Sequence, residues 1–223
     1  MHGTEHVRND RLYAVWMLFT TTGMRRSEVA GLRTIDVDLA AARVSPRMPR
    51  VLVDHQVIVS EPKSRAGRRS LALDPATVAA LRVHLVIQEA EREVVSARYM
   101  DSGLLFTWPD GRPIDPARFS QWFQQHVVAS DLPRITLHGL RHSYATAALK
   151  AGVPVKVISE RLGHATVAIT LDIYSHVIPG MDELAAHTVA GLILGDDSDN
   201  RTMHRPIDNP LTTEPSAPRG EGR

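Results

Sequence analysis

Between Arg43 and Leu73 the hydrophobic period of the chain changes, and that change limits the folds open to it. The fragments RVS (43–45), VLVDHQVIVS (51–60) and RRSLAL (68–73) are rich in β-branched residues and read as three strands. The segment PKSRAG (62–67) carries the Pro and Gly of a hairpin turn between the last two, with Lys63 in or beside it. On both sides of this stretch the apolar residues recur at helical spacing. DRLYAVWMLFTTT (10–22) places Leu12, Val15, Trp16 and Phe19 on one face, and Gly23 stops the run. SEVAGL (27–32) predicts a short helix capped by Ser27 or a close neighbour.

Asp74-Pro75 opens a long helix to about Val95, whose later part, EAEREVV, reads as a solvated face. A short strand is expected at 104–108, with a turn at 109–111. Helices follow at 116–129, 138–150, 154–162, 166–174 and 181–194, with Phe119, Trp122 and Phe123 as core anchors of the first. The predicted class is therefore α+β, mainly helical, with one small antiparallel sheet near the N-terminal third.

With 43% apolar residues, a chain of 223 supports one sizeable core as far as about residue 195. Residues 196–223 have almost no apolar content and are predicted to be a disordered tail. There is no cysteine, so neither disulfides nor thiolate metal sites are open to the chain. No apolar run approaches the roughly 18 residues of a bilayer span, and MHGTEHVRND lacks the apolar core of a signal peptide. These features point to a soluble, cytoplasmic protein with no membrane partner. The net charge of +1 is unevenly spread: residues 43–70 hold six arginines and Lys63 against only Asp54 and Glu61. Such a patch suits either a phosphate backbone or an ordinary solvated hairpin.

LHGLRHSYATAAL (137–149) puts His138, Arg141 and His142 at i, i+3 and i+4 on one helical face. A zinc helix would place Glu, not Gly139, after the first His, and a guanidinium beside both rings disfavours a cation. A polar helix face remains open for the segment read alone. Its company argues otherwise. TTGMRRSEVAGL (21–32) holds Arg25 and Arg26 just after a glycine turn, and RLGHATVAITLDIYSHV (161–177) adds His164, Tyr174 and His176.

Together these segments resemble the catalytic domain of the tyrosine recombinases, the phage integrase family, over about residues 10–190. The family pattern T-G-x-R-x-x-E stands here as Thr22-Gly23-Met24-Arg25 with Glu28, followed by the hairpin Lys63. H-x-L-R-H stands as His138-Gly139-Leu140-Arg141-His142, and L-G-H as Leu162-Gly163-His164, before Tyr174. LGHATVAITLDIYSHV is similar to integrases of actinobacterial type. Tyr174 follows His164 by ten residues where many members use nine, and one helical residue rotates a side chain by about 100°.

The resemblance implies a site-specific recombinase that breaks and rejoins DNA through a 3′-phosphotyrosyl intermediate, without metal or other cofactor. Tyr174 would be the nucleophile, since a covalent phosphotyrosine keeps the phosphodiester energy. Arg25 and Arg141 would fork the non-bridging oxygens. Lys63 would protonate the leaving 5′-oxygen, His138 would take the phenol proton or bind phosphate, and His164 would donate a hydrogen bond to phosphate. Glu28 and His142 would orient these groups. Arg26, Arg65, Arg68 and Arg69 are candidates for contacts to DNA phosphates. Tyr13, Tyr99 and Tyr144 are rival nucleophiles by chemistry alone, Tyr144 being read as a packing residue.

Double-stranded DNA is the implied partner, with a homotetramer on paired sites and a directionality or host architectural protein at the nucleoid. GMDELAAHTVAGLIL (180–194) has the apolar content either to dock on a neighbouring subunit or to close its own domain. Only about nine residues precede the first helix, so the N-terminal core-binding domain usual in such enzymes is expected to be absent. A truncated DNA-binding remnant without turnover is the alternative function. A type IB topoisomerase is a weaker one, disfavoured by the motif spacing.

Overall fold

The first helix, α1 (Tyr13–Thr22), stops where the sequence predicts. Gly23 takes φ 64°, a left-handed conformation without penalty for glycine. A Cβ there would also sit 2.7 Å from the Tyr144 ring, so the same residue sets how closely a later helix approaches. The computed structural model describes residues 10–59, 69–130, 133–174 and 179–194. Rather than a single apolar face, α1 buries Ala14, Val15, Trp16, Leu18, Phe19 and Thr22. A helix apolar on most sides belongs inside the domain, and α1 packs against three others.

Helix α2 (Arg26–Ala30) begins one residue earlier than predicted. Arg25, not Ser27, is its N-cap, and its backbone N–H is satisfied by the Glu28 carboxylate at 2.8 Å. The predicted single sheet is two. β1 (Val37–Asp38), β2 (Arg43–Val44) and β5 (Leu71–Ala72) form one, in that order and antiparallel. β3 (Arg50–Val53) and β4 (Gln56–Val59) form a separate ribbon in which Val51 pairs with Ile58. VLVDHQVIVS, expected as one strand, therefore folds back on itself. Asp54 and His55 both adopt positive φ, 47° and 62°, which matches the twist of a two-residue hairpin. The turn expected at 62–67 lies outside the described residues.

Helix α3 (Pro75–Val95) matches its predicted limits. The Asp74 side chain accepts from the N–H groups of Ala76 and Thr77, a cap worth about 1 kcal/mol. Thr77, Ala80, Leu81, His84 and Gln88 form its buried stripe. The strand expected at 104–108 is reduced to isolated bridges, Arg33 with Leu104 and Thr107 with Pro113. It remains central, because Leu105 and Phe106 are buried and the Leu105 N–H donates to the Leu32 carbonyl.

Four helices follow: α4 (Pro116–Ala129), α5 (Leu137–Lys150), α6 (Val155–Leu162) and α7 (Val167–Tyr174). The main core gathers residues from α1, α2, the three-stranded sheet, α3 and α4, with Phe19, Phe106 and Phe119 fully buried. Each such ring contributes about 1.5–3 kcal/mol of burial. A second, smaller cluster, Ala145, Leu149, Ile158 and Leu162, joins α5 to α6.

The chain divides into residues 1–179 and 180–223, and α8 (Pro179–Leu194) is the described part of the second. Among the described residues no helix is long and apolar enough to cross a membrane. The tail expected to be disordered lies outside the described residues.

Candidate active site

The LGH segment builds the floor of the site through a helix-ending turn. Gly163 adopts φ 67°, its N–H donates to Glu160, and the His164 N–H reaches back to Ser159. This pairing satisfies two carbonyls and leaves the last ones, those of Leu162 and Gly163, pointing out of the helix end. Helix ends of this kind attract cations, and two arginines from distant parts of the chain supply them. Arg25 donates through Nη2 to the Gly163 carbonyl at 2.9 Å. Arg141 donates through Nη2 to the Leu162 carbonyl and through Nη1 to the Gly23 carbonyl, both at 2.7 Å. Arg141 thus ties together the C-terminal ends of α1 and α6. Residues 116 positions apart meet on consecutive carbonyls beside His164.

The two arginines differ in setting. The Arg25 side chain is 41% exposed, whereas Arg141 is buried at 6%. Arg25 is braced by Glu28, whose carboxylate takes the Arg25 Nη1 at 3.1 Å as well as its backbone N–H. Glu28 is in turn gripped by both terminal nitrogens of Arg69, at 2.8 and 2.9 Å. Burial alone would raise the Glu28 pKa, but the Arg69 fork and the Arg25 contacts outweigh it. The net shift is downward, so Glu28 stays ionised. Arg69 also donates to the Arg161 carbonyl at 2.6 Å. Grouped in the sequence with the candidates for DNA contact, it has a guanidinium occupied inside the protein. Arg50, counted in the basic stretch, is buried as well and donates to the Ala30 and Ile114 carbonyls.

Arg25, Arg26, His138, Arg141, His142 and His164 line one cleft of about 920 Å³, with Val51 of β3 and Ser120 and Gln124 of α4. Arg26 is exposed there and bonds Ser120 Oγ at 2.9 Å. His138 and His142, one turn apart on α5, touch through their Nε2 atoms at 2.8 Å. Burial, then His138, then Arg141 lower the His142 pKa. His164 is pushed down to about 4, first by burial and then by Arg141, Arg25, His142 and Arg69. Its Nδ1 lies 2.8 Å from Thr170 Oγ1, on the buried side of α7. His164 is therefore neutral at pH 7, with Nε2 left for a ligand. Among the described residues no three His, Asp or Glu side chains come together as a metal site.

Tyr174 is the last residue of α7, and its side chain lies outside the described residues. So do Lys63, Arg65 and Arg68. Tyr144 has its hydroxyl accepting from Arg161 Nε at 2.7 Å and its ring over Gly23. Tyr99 lies under Arg92, and Tyr13 packs on the main core. The sequence reading did not identify the partners Thr170, Arg161 and Ser120. Their side chains gain meaning only from what the fold brings within 3 Å of them.

A sequence profile of the phage integrase family matches residues 4–180. The tyrosine recombinase XerC-like protein of Caldanaerobacter subterraneus subsp. tengcongensis is 29% identical over 202 residues, which cover 85% of this chain and 52% of that one. The XerA recombinase structure superposes with a TM-score of 0.61 at 25% identity, covering 80% of this chain and 56% of that one. The Tn1549 transposon integrase, solved in complex with circular intermediate DNA, reaches 0.68 at 20% identity over 85% of this chain and 64% of that one, a likeness of fold. The chain spans about half the length of the curated relative it matches. The profile match runs through every helix that contributes to the cleft, and the chain belongs to the phage integrase family.

Proposed function

We propose that this chain cleaves and rejoins DNA strands at specific sites through a 3′-phosphotyrosyl intermediate on Tyr174. The observation that carries this reading is the convergence of Arg25, Arg141 and His164 on the Leu162–Gly163 turn. Two guanidiniums and a neutral imidazole on one cleft suit a phosphodiester whose non-bridging oxygens gain charge during in-line displacement. The solved DNA complexes of similar fold support DNA as the substrate.

The phenol oxygen of Tyr174 would bond to phosphorus as the bond to the 5′-oxygen breaks. The phenol proton passes to His138, and by resemblance Lys63 returns a proton to the leaving 5′-oxygen. Burial and the neighbouring guanidiniums keep His164 neutral, and Thr170 sets its tautomer. With the Thr170 hydroxyl donating to Nδ1, the ring proton sits on Nε2, where it donates to a phosphate oxygen. Arg69 would act by holding Glu28, and through it Arg25, while Arg26, Arg65 and Arg68 contact DNA phosphates. A homotetramer on paired sites, with α8 of one subunit on its neighbour, completes the proposal together with a directionality or host architectural protein at the nucleoid.

Incubation with nicked suicide substrates tests this reading on a denaturing gel. A covalent protein–DNA adduct is expected, and Tyr174→Phe should abolish it. An adduct that survives the substitution would sink the nucleophile assignment. Salt-sensitive binding without any adduct would favour a DNA-binding remnant.

A further inference from the structure

His138 and His142 meet with their ring planes 86° apart and centroids 4.4 Å apart. At a Nε2–Nε2 separation of 2.8 Å, one nitrogen carries a hydrogen and the other accepts it. The neutral pair thus holds two protons on four nitrogens. It takes up one more at an outer nitrogen while keeping its internal bond, which then becomes charge-assisted. A second extra proton would set two N–H groups against each other and break the contact. The pair is built to carry one positive charge and no more.

Its surroundings point the same way. Arg25 and Arg26 from the start of α2, Arg141 from α5 and His164 from the turn before α7 line the same cleft. Val51, Ser120 and Gln124 bring no charge from β3 and α4. His142 is half-buried, while His138 is exposed to the cleft and its Nδ1 has no hydrogen-bond partner among the described residues.

We propose that His142 is a positioning residue that makes His138 a one-proton acceptor for the attacking phenol. His138 Nε2–H points at His142 Nε2, and the lone pair on His138 Nδ1 stays open to the cleft. The inference rests on the strand-cleavage reading above. As the bond from the phenol oxygen to phosphorus forms, the phenol O–H bond breaks and its proton moves to Nδ1 of His138. The resulting charge is stabilised by the hydrogen bond to neutral His142. The bond from phosphorus to the 5′-oxygen breaks, and that oxygen takes its proton from a separate donor.

Single-turnover adduct formation across pH, on nicked substrates, tests the role. His142→Ala should slow cleavage by on the order of tenfold and move the acid limb of the rate profile to lower pH, because His138 loses the partner that stabilises its cation. His142→Gln, which keeps an acceptor at that reach, should recover most of the rate and restore the limb. A slowed His142→Ala with an unchanged acid limb would overturn the proposal, since a merely structural role moves the rate alone. In the DNA-free protein labelled with nitrogen-15, a coupling across the Nε2–H···Nε2 bond is expected, and its absence would also overturn it. A wild-type chain that shows this coupling but forms no adduct would count against strand cleavage, not against the pairing of the rings.

Discussion

Arg25 and Arg141 reach the same turn by opposite routes. Arg25 caps a five-residue helix, stands 41% exposed and borrows its orientation from Glu28 and Arg69. Arg141 lies in the first half of a fourteen-residue helix, is buried, and spans the carbonyl ends of two other helices. The first is a side chain positioned by a salt-bridge network. The second is a structural clasp that also faces the cleft. The same chemical group therefore carries different shares of stability and chemistry at the two places.

The largest effect should follow loss of the clasp. Arg141→Ala leaves the Gly23 and Leu162 carbonyls without these donors, at a cost of about 3 kcal/mol in denaturant unfolding, and abolishes adduct formation. Arg141→Lys keeps the charge but not the fork, and cleavage should still fall about 10²–10³-fold. Arg25→Lys should lose cleavage to a similar degree yet change the unfolding free energy by less than about 1 kcal/mol, in line with exposed ion pairs. Equal destabilisation by Arg141→Ala and Arg25→Ala, measured side by side, would break the comparison.

Glu28→Gln tests the bracing of Arg25 at its source. Removing one partner of the buried Arg69 pair should cost about 3 kcal/mol in the same unfolding assay. It should also slow cleavage with little effect on DNA affinity. A variant as stable as the parent would show that Arg69 does not depend on Glu28.

Acidity sharpens the contrast further. The Glu28 carboxyl titrates below its ordinary value in the folded chain. Its contribution to stability is present above the unfolded value near 4.5 and is lost as pH falls through the lower folded value. His164 also has a lowered value, about 4, against 6.5 when unfolded. The unfolded chain takes up that proton first, so stability should decline as pH drops from 6.5 towards 4. His164→Gln should flatten this decline in thermal unfolding, and a bound phosphate should raise the His164 value seen by NMR. Smallest of all, Tyr144→Phe should cost about 1 kcal/mol by removing the Arg161 hydrogen bond, and adduct formation should persist.

Much of this architecture is legible residue by residue. The Asp74 cap, the Gly23 and Gly163 stops and the apolar spacing of α3 and α4 are local properties, and local properties survive in sequence. The Asp54-His55 hairpin is not legible, because nothing in VLVDHQVIVS marks a turn until both residues adopt positive φ. Arg69 and Arg50 looked like parts of a basic surface. Their burial depends on Glu28 and on carbonyls 20 to 92 positions away.

Sequence alone determined which residue types are candidates for the site and in what order, and these are the guanidiniums, imidazoles and phenol that the proposed phosphate chemistry would use. The family and the helical class follow from that order and from the hydrophobic period. Only the tertiary structure decided that Arg25 and Arg141 meet on consecutive carbonyls, that Arg69 faces inward, and that His138 and His142 share a hydrogen. Those outcomes hang on where helix ends leave their unpaired carbonyls after packing, and a linear pattern does not record that.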